Sequence, residues 1–144
     1  MDINRLFNID GKTALITGGS RGIGEMIAAG FLANGVKVYI TARKEAPLIE
    51  KAKELSEKFN GECIAITCDL SNMEGIQKLA SDYLNHEDSL DILVNNAGAA
   101  WGEPYENFSE KGWDKVMDLN VKGMFFLTRD LTPALSKNAS DDEP

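Results

Sequence analysis

Residues 17–24 read TGGSRGIG, with glycines spaced as Gly18-x-x-x-Gly22-x-Gly24. Glycines at such spacing let backbone N–H groups approach a diphosphate with no side chain between them. The preceding residues 12–17, KTALIT, form a short apolar strand pattern, and the residues that follow open a helix. The free N–H groups and positive dipole end of that helix make an anion site. Two common phosphate loops do not fit. No glycine triple has the G-x-G-x-x-G spacing. Gly19 and Gly24 have the gap of a P-loop, but Glu25 stands where its lysine is required and would repel a triphosphate. What remains is a dinucleotide turn widened by one residue.

Few other residues could do chemistry. His86 is the only histidine, and no Cys/His cluster exists, so no metal site is predicted. Cys63 and Cys68 lie five apart around an apolar strand pattern, which points them to opposite faces as two buried thiols. Asn120 falls on an apolar helical stripe between Val116/Met117 and Met124, where an inward-facing amide needs partners. A formal net charge of −8 over 144 residues argues against nucleic acid as a partner. No apolar run is long enough to cross a bilayer, and the first residues lack the apolar core of a leader, so a cytoplasmic protein is expected.

The elements that must position these groups alternate. After the glycines, Ile23, Met26, Ile27, Phe31 and Leu32 recur at helical spacing up to Gly35. Residues 36–41, VKVYIT, are β-branched and aromatic, and read as a strand. Leu48, Ala52, Leu55 and Phe59 mark a helix that stops near Asn60-Gly61. CIAIT (63–67) is a third strand, and SNME (71–74) reads as a capping box opening a helix with Ile76, Leu79, Ala80, Tyr83 and Leu84 on its apolar face. LDILVN (90–95) is a fourth strand. From Ser109 a helix carries Trp113, Val116, Met117, Val121, Met124, Phe125 and Thr128 along one side until Pro133 bends or ends it. The last nine residues read as loop. Near-continuous apolar strands joined by single helices predict an α/β fold, a Rossmann-like doubly wound parallel sheet. About four strands leave the fourth as an open apolar edge, which reads as the N-terminal part of a larger domain.

With TGxxxGxG after the first strand, the chain resembles the short-chain dehydrogenase/reductase family. NNAG (95–98) matches that family's second signature, Asn120 in MDLNVKG a third, and Asp69 in CDLS the acidic residue that contacts the adenine amino group. The resemblance implies a dinucleotide held by Gly18, Ser20, Arg21, Gly22, Ile23, Gly24, Asp69, Leu70, Asn95, Ala97, Gly98 and Val121. It implies a catalytic role for Asn120, anchoring a water in the proton relay. The family's serine and Tyr-x-x-x-Lys do not map: Tyr39 has Arg43 at +4, Tyr83 has Glu87 and Tyr105 has Ser109. Residues 1–144 are therefore expected to be an incomplete NADP-binding domain, inactive alone, within a longer enzyme.

The end of the second strand bears on which dinucleotide is used. An NAD enzyme places a carboxylate there for the adenosine ribose. Ala42 occupies that position, Arg43 follows it, and Arg21 lies in the glycine loop. Two guanidinium groups suit a 2′-phosphate, so NADP(H) is expected. The stretch from NNAG to VKG, with Trp101-Gly102 and Gly112-Trp113, resembles bacterial 3-oxoacyl reductases of the rhamnolipid and fatty-acid type. That implies hydride transfer to a 3-oxoacyl thioester on acyl carrier protein or coenzyme A. Another small-molecule substrate, such as a polyol or sugar acid, or a non-catalytic nucleotide-binding module, stays open at this point. By resemblance, a homo-oligomer, tetramer or dimer, is expected.

Overall fold

The computed structural model describes residues 7–139; residues 140–144, most of the predicted C-terminal loop, lie outside it. Four strands form one parallel sheet: β1 Thr13–Thr17, β2 Lys37–Ala42, β3 Cys63–Thr67 and β4 Ile92–Val94. Their order is β3-β2-β1-β4. Register runs Thr13 to Lys37 and Ala14 to Ile92 on either side of β1, and Val38 to Cys63 beyond β2. The predicted α/β doubly wound sheet is thus the observed one. β1 and β2 lie in the middle and are almost wholly buried, whereas β4 is half-exposed at the edge. Only Ile92–Val94 of the predicted 90–95 pair with β1: Leu90 and Asp91 hydrogen bond before the ladder, and Asn96 turns away after it.

Helices α1 Gly22–Leu32 and α2 Glu45–Phe59 cover one face of the sheet. α3 Met73–His86 covers the other, together with a long helix built of α4 Glu110–Met117, a π-helical turn Asp118–Gly123 and α5 Met124–Leu135. Each face has its own core. Ile16, Val38, Ile40 and Leu48 belong to the first, and Leu15, Tyr39, Leu79, Tyr83 and Leu127 to the second. Alternation along the strands divides them in this way. It also sends Cys63 to one face and Cys68 to the other, both free and buried as expected. Burial pushes the Cys63 thiol up to about 12 and raises that of Cys68.

Helix ends and faces depart from the sequence reading in three places. The cap of α3 is Asn72, whose side chain accepts from the Gly75 N–H at 2.8 Å, while Ser71 turns back to Asp69. An Asx cap one residue later replaces the expected Ser71 box. On α1 the buried residues are Gly24, Ala28 and Leu32, and Ile23 and Met26 are exposed. Small side chains let this helix sit close to the sheet, so its bulky residues face outward. The helix after Ser109 buries Gly112, Gly123, Leu127, Leu131 and Ala134, while Trp113, Val121, Met124 and Phe125 are exposed rather than core. It has two apolar faces, and spacing alone does not rank them. Pro133 sits inside the last turn, and the helix ends two residues later at Leu135.

At the edge where the strands begin, Lys37 pairs with Glu62 and Glu87 at 2.9 and 2.8 Å, and the Tyr39 hydroxyl donates to Glu87 at 2.7 Å. The Tyr83 hydroxyl donates to the Ser89 carbonyl at 2.8 Å. Both tyrosines are buried, and burial raises their pKa first of all.

Candidate functional site

Parallel pairing puts the C-terminal ends of all four strands on one edge, and the loops carrying the predicted site residues up to Gly98 leave from it. The strand order reverses between β1 and β4: β2 and β3 continue to one side, β4 lies on the other. A crevice opens outside the strand ends at such a switch point.

Two residues that sequence reasoning passed over build this crevice. Thr17, at the end of β1, is 1% exposed. Its Oγ1 accepts from the Asn96 and Ala97 N–H groups at 3.0 and 2.9 Å and donates to the Val94 carbonyl at 3.3 Å. Asn96 Nδ2 donates to the Thr17 and Gly18 carbonyls at 2.9 and 3.2 Å. Five hydrogen bonds thus stitch the glycine loop to the loop after β4. The available signal was a hydroxyl and an amide at the ends of apolar strands, where a purely structural turn has no need of them.

The glycines have different tasks. Gly18 takes φ +69° and lies against Asn96 and Ala97, where a Cβ would meet atoms at 3.1 and 3.2 Å. A Cβ on Gly24 would sit 2.3 Å from the Gly18 carbonyl oxygen. Gly19, absent from the predicted set, faces Ile40, which a Cβ there would meet at 2.6 Å, and donates its N–H to the Thr41 carbonyl at 3.0 Å. These three let the loop close on the protein itself. Gly22 differs: its φ is +62°, yet a Cβ there meets nothing within 4 Å. Its open side is the space in front of α1, a cradle that a side chain would fill. No side chain caps the first N–H groups of α1, whose N-cap is the extended Arg21. Free donors, a positive helix end and an open cradle fit a diphosphate. Glu25, the acid that argued against a P-loop, is drawn to Lys51 of α2 at 2.8 Å.

The remaining predicted residues lie along the same edge. Ser20 is half-buried in the loop and Ile23 is exposed on the first turn of α1. Arg43 is exposed just past β2, and neither it nor Arg21 is in an ion pair among the described residues. Asp69 follows β3 and accepts from the Ser71 N–H and hydroxyl at 3.0 and 2.8 Å, both through Oδ1. The Ser71 N–H holds its carboxyl below the usual range, helped by the Ser71 hydroxyl and the nearby Arg43 charge. Leu70 is buried, and its carbonyl leaves room only for a glycine at 123, where a Cβ would approach to 2.6 Å. Ala97 is held by Thr17, and Asn95 donates to the Thr128 hydroxyl at 3.1 Å.

Asn120 is on the π-helical turn and its residue is exposed, not inward-facing as expected. Its Oδ1 accepts from the Ala99 N–H at 2.8 Å and its Nδ2 donates to the Ala99 carbonyl at 2.9 Å. The amide therefore finds the partners it needs in the loop after β4, beside Gly98, whose Cβ would lie 3.5 Å from Oδ1. Val121, the next residue, is 47% exposed. π-turns inside α-helices are rare and frequent at functional sites. This one turns Asn120 toward the β4 loop, so the local distortion and the placement of the amide are one feature.

No group of acidic, Cys or His side chains among the described residues could hold a metal ion, and no helix is long and apolar enough to cross a membrane.

A family model described as short chain dehydrogenase matches residues 12–141. A rhamnolipids biosynthesis 3-oxoacyl-[acyl-carrier-protein] reductase of Pseudomonas aeruginosa is 45% identical over 138 residues, covering 96% of this chain and 53% of that protein. A 2-dehydro-3-deoxy-D-gluconate 5-dehydrogenase of Dickeya dadantii is 40% identical over 126 residues, 85% of this chain and 47% of that protein. Among solved structures, a Pseudomonas aeruginosa NADP active-site complex superposes with a TM-score of 0.90 at 45% identity, over 96% of this chain and 53% of that one. L-Sorbose reductase from Gluconobacter frateurii, complexed with NADPH and L-sorbose, superposes with a TM-score of 0.85 at 34% identity, over 89% and 49% of the two chains. The chain spans about half the length of the curated relatives it matches.

Proposed function

The chain belongs to the short-chain dehydrogenase family, and from that premise we propose that it forms the dinucleotide-binding part of an NADP(H)-dependent oxidoreductase. The observation that carries this reading is the cradle at Gly22. It stands in front of an uncapped helix N-terminus, at the point where the strand order reverses. In this reading the backbone of residues 18–24 and the end of α1 hold the diphosphate. Arg43 and Arg21 neutralise a 2′-phosphate on the adenosine side, and the free oxygen of Asp69 accepts from the adenine amino group. Leu70, Asn95, Ala97, Gly98 and Val121 line the groove toward β4. Asn120 keeps the β4 loop in place and offers an amide to an ordered water.

Bound there, the dinucleotide supplies a hydride. The residues of this chain bind and orient it, and they exclude water from the crevice. They do not supply the proton. Tyr39 and Tyr83 are committed to Glu87 and Ser89 away from the crevice, and an amide has no titratable proton near neutral pH. This chain alone is expected to bind the dinucleotide without turnover. For the substrate we favour a 3-oxoacyl thioester, supported by the 45% identity to a 3-oxoacyl-[acyl-carrier-protein] reductase. The exposed Trp113, Met124 and Phe125 support a homo-oligomer.

The test is a titration of the protein with NADPH and NADH, followed by nicotinamide fluorescence. NADPH is expected to bind more tightly. Equal affinities would remove the case for the 2′-phosphate site, and no binding of either would remove the function.

A further inference from the structure

The stretch that leaves the crevice after Gly98 runs as an extended loop to the start of α4 and is fastened at several points. At its beginning the Asn120 amide grips both backbone groups of Ala99. At its end the Glu103 carboxylate accepts from the Ser109 N–H at 2.7 Å, and Ser109 caps α4 by accepting from the Gly112 N–H at 3.1 Å. Between these lies Trp101. Its indole rests on Gly112: a Cβ there would meet Cδ1 at 2.3 Å and Nε1 at 2.5 Å. The Lys115 ammonium covers the ring at 4.7 Å from its centre. The indole N–H is buried without completing a hydrogen bond, and the Glu103 carboxylate is its polar neighbour.

Two features of this seat run against stability alone. Gly112 is a glycine inside a helix, where alanine would be the better helix former. A buried N–H left with one imperfectly aligned partner, the Glu103 carboxylate, is a cost that a phenylalanine at the same place would avoid. Both make sense if the seat exists to hold the loop in one position. The strand order explains why position matters. With adenosine at β2 and β3 and the diphosphate at β1, the far end of a dinucleotide lies over β4, against this loop.

We infer that Trp101, seated on Gly112 under Lys115, is a positioning residue that fixes the loop after β4 as the wall against the nicotinamide end of the groove. The inference rests on the proposed function. It assigns Gly112 and Lys115 to the seat and leaves the adenosine end of the groove independent of it.

The test compares two probes, NADPH and adenosine 2′,5′-bisphosphate, the latter carrying only the adenosine end. Gly112→Ala drives the indole from its seat, and Trp101→Ala removes it without crowding the helix should the first variant fold poorly. If the loop holds its position only a tenth of the time, NADPH affinity falls about tenfold while the bisphosphate binds as in the parent protein. In a Trp113→Phe background, Trp101 is the sole indole, and its emission should shift to the red in Gly112→Ala. Equal NADPH-to-bisphosphate ratios in the parent and both variants would overturn the positioning role, as would an unshifted emission. Failure of the parent to bind the bisphosphate would instead overturn the proposed function, and the role of the seat with it.

Discussion

Gly24 and Gly22 lie two residues apart in one motif, yet their surroundings differ and the proposed function gives them opposite tasks, which substituting each by alanine separates. At Gly24 a methyl group would stand 2.3 Å from the Gly18 carbonyl oxygen and 2.6 Å from Asn96 Nδ2. The first neighbour is backbone and the second is the amide that donates to Thr17 and Gly18. Neither can give way without opening the stitched crevice. Overpacking of this kind costs about 1–3 kcal/mol, and loss of an Asn96 hydrogen bond adds about 1 kcal/mol. Gly24→Ala should therefore lose roughly 2–4 kcal/mol, a fall in Tm of roughly 6–12 °C for a chain of this length. Gly22→Ala meets nothing within 4 Å and bears only the strain of left-handed backbone, about 1 kcal/mol. Its methyl group stands in the cradle, however. Displacing one charge-assisted N–H contact of the diphosphate, worth about 1.5–3 kcal/mol, should weaken NADPH about ten- to a hundredfold. Urea denaturation followed by circular dichroism measures the first effect, and a fluorescence titration the second. If Gly22→Ala destabilised as much as Gly24→Ala while keeping its NADPH affinity, the division of tasks would be refuted.

Arg43→Glu replaces an exposed cation just past β2, where the proposed function puts the adenosine 2′-phosphate, with a repelling charge. NADPH should bind about ten- to a hundredfold more weakly and NADH almost unchanged, and equal losses in the two titrations would remove the phosphate role. Thr17→Val keeps the shape but orphans the Asn96 and Ala97 N–H groups and the Val94 carbonyl. Stability in urea should fall by about 2–4 kcal/mol, with Thr17→Ser restoring most of it; a silent Thr17→Val would mean the stitch carries no weight. Cys63 is held in its neutral form by burial, with its pKa raised from about 9 to about 12. A raised pKa gives stability that is complete below pH 9 and is lost as pH rises toward 12. Cys63→Ala should flatten the alkaline limb of a stability-versus-pH curve, and an unchanged limb would place the alkaline transition elsewhere.

Much of the fold was legible in the chain because it rests on local rules. CIAIT was a strand of the observed length, since a β-branched apolar run between polar turns has few other uses. Leu48, Ala52 and Leu55 are the buried face of α2, and Asn60 ends it in the left-handed conformation. Where an element carried two apolar faces the local rule failed. Ile23 and Met26, and later Trp113 and Phe125, have helical spacing but are exposed, because the sheet side is taken by Gly24, Ala28 and Leu32 in α1 and by Gly112, Leu127 and Leu131 in the later helix.

The sequence by itself determined the doubly wound arrangement, the glycine loop between the first strand and helix, and the two arginines flanking an absent acid. Each of these follows from residue type and spacing within a few positions along the chain. Only the tertiary structure decided that Thr17 and Asn96 join the two loops and that, of the four glycines in 18–24, Gly22 is the one whose space stays open. It also decided that Asn120 grips Ala99 through a π-turn and that Trp101 sits on Gly112. These pairs lie far apart in sequence, up to 80 residues between Thr17 and Ala97. Their contact depends on the register of β1 against β4 and on the seating of one helix, which no local pattern encodes.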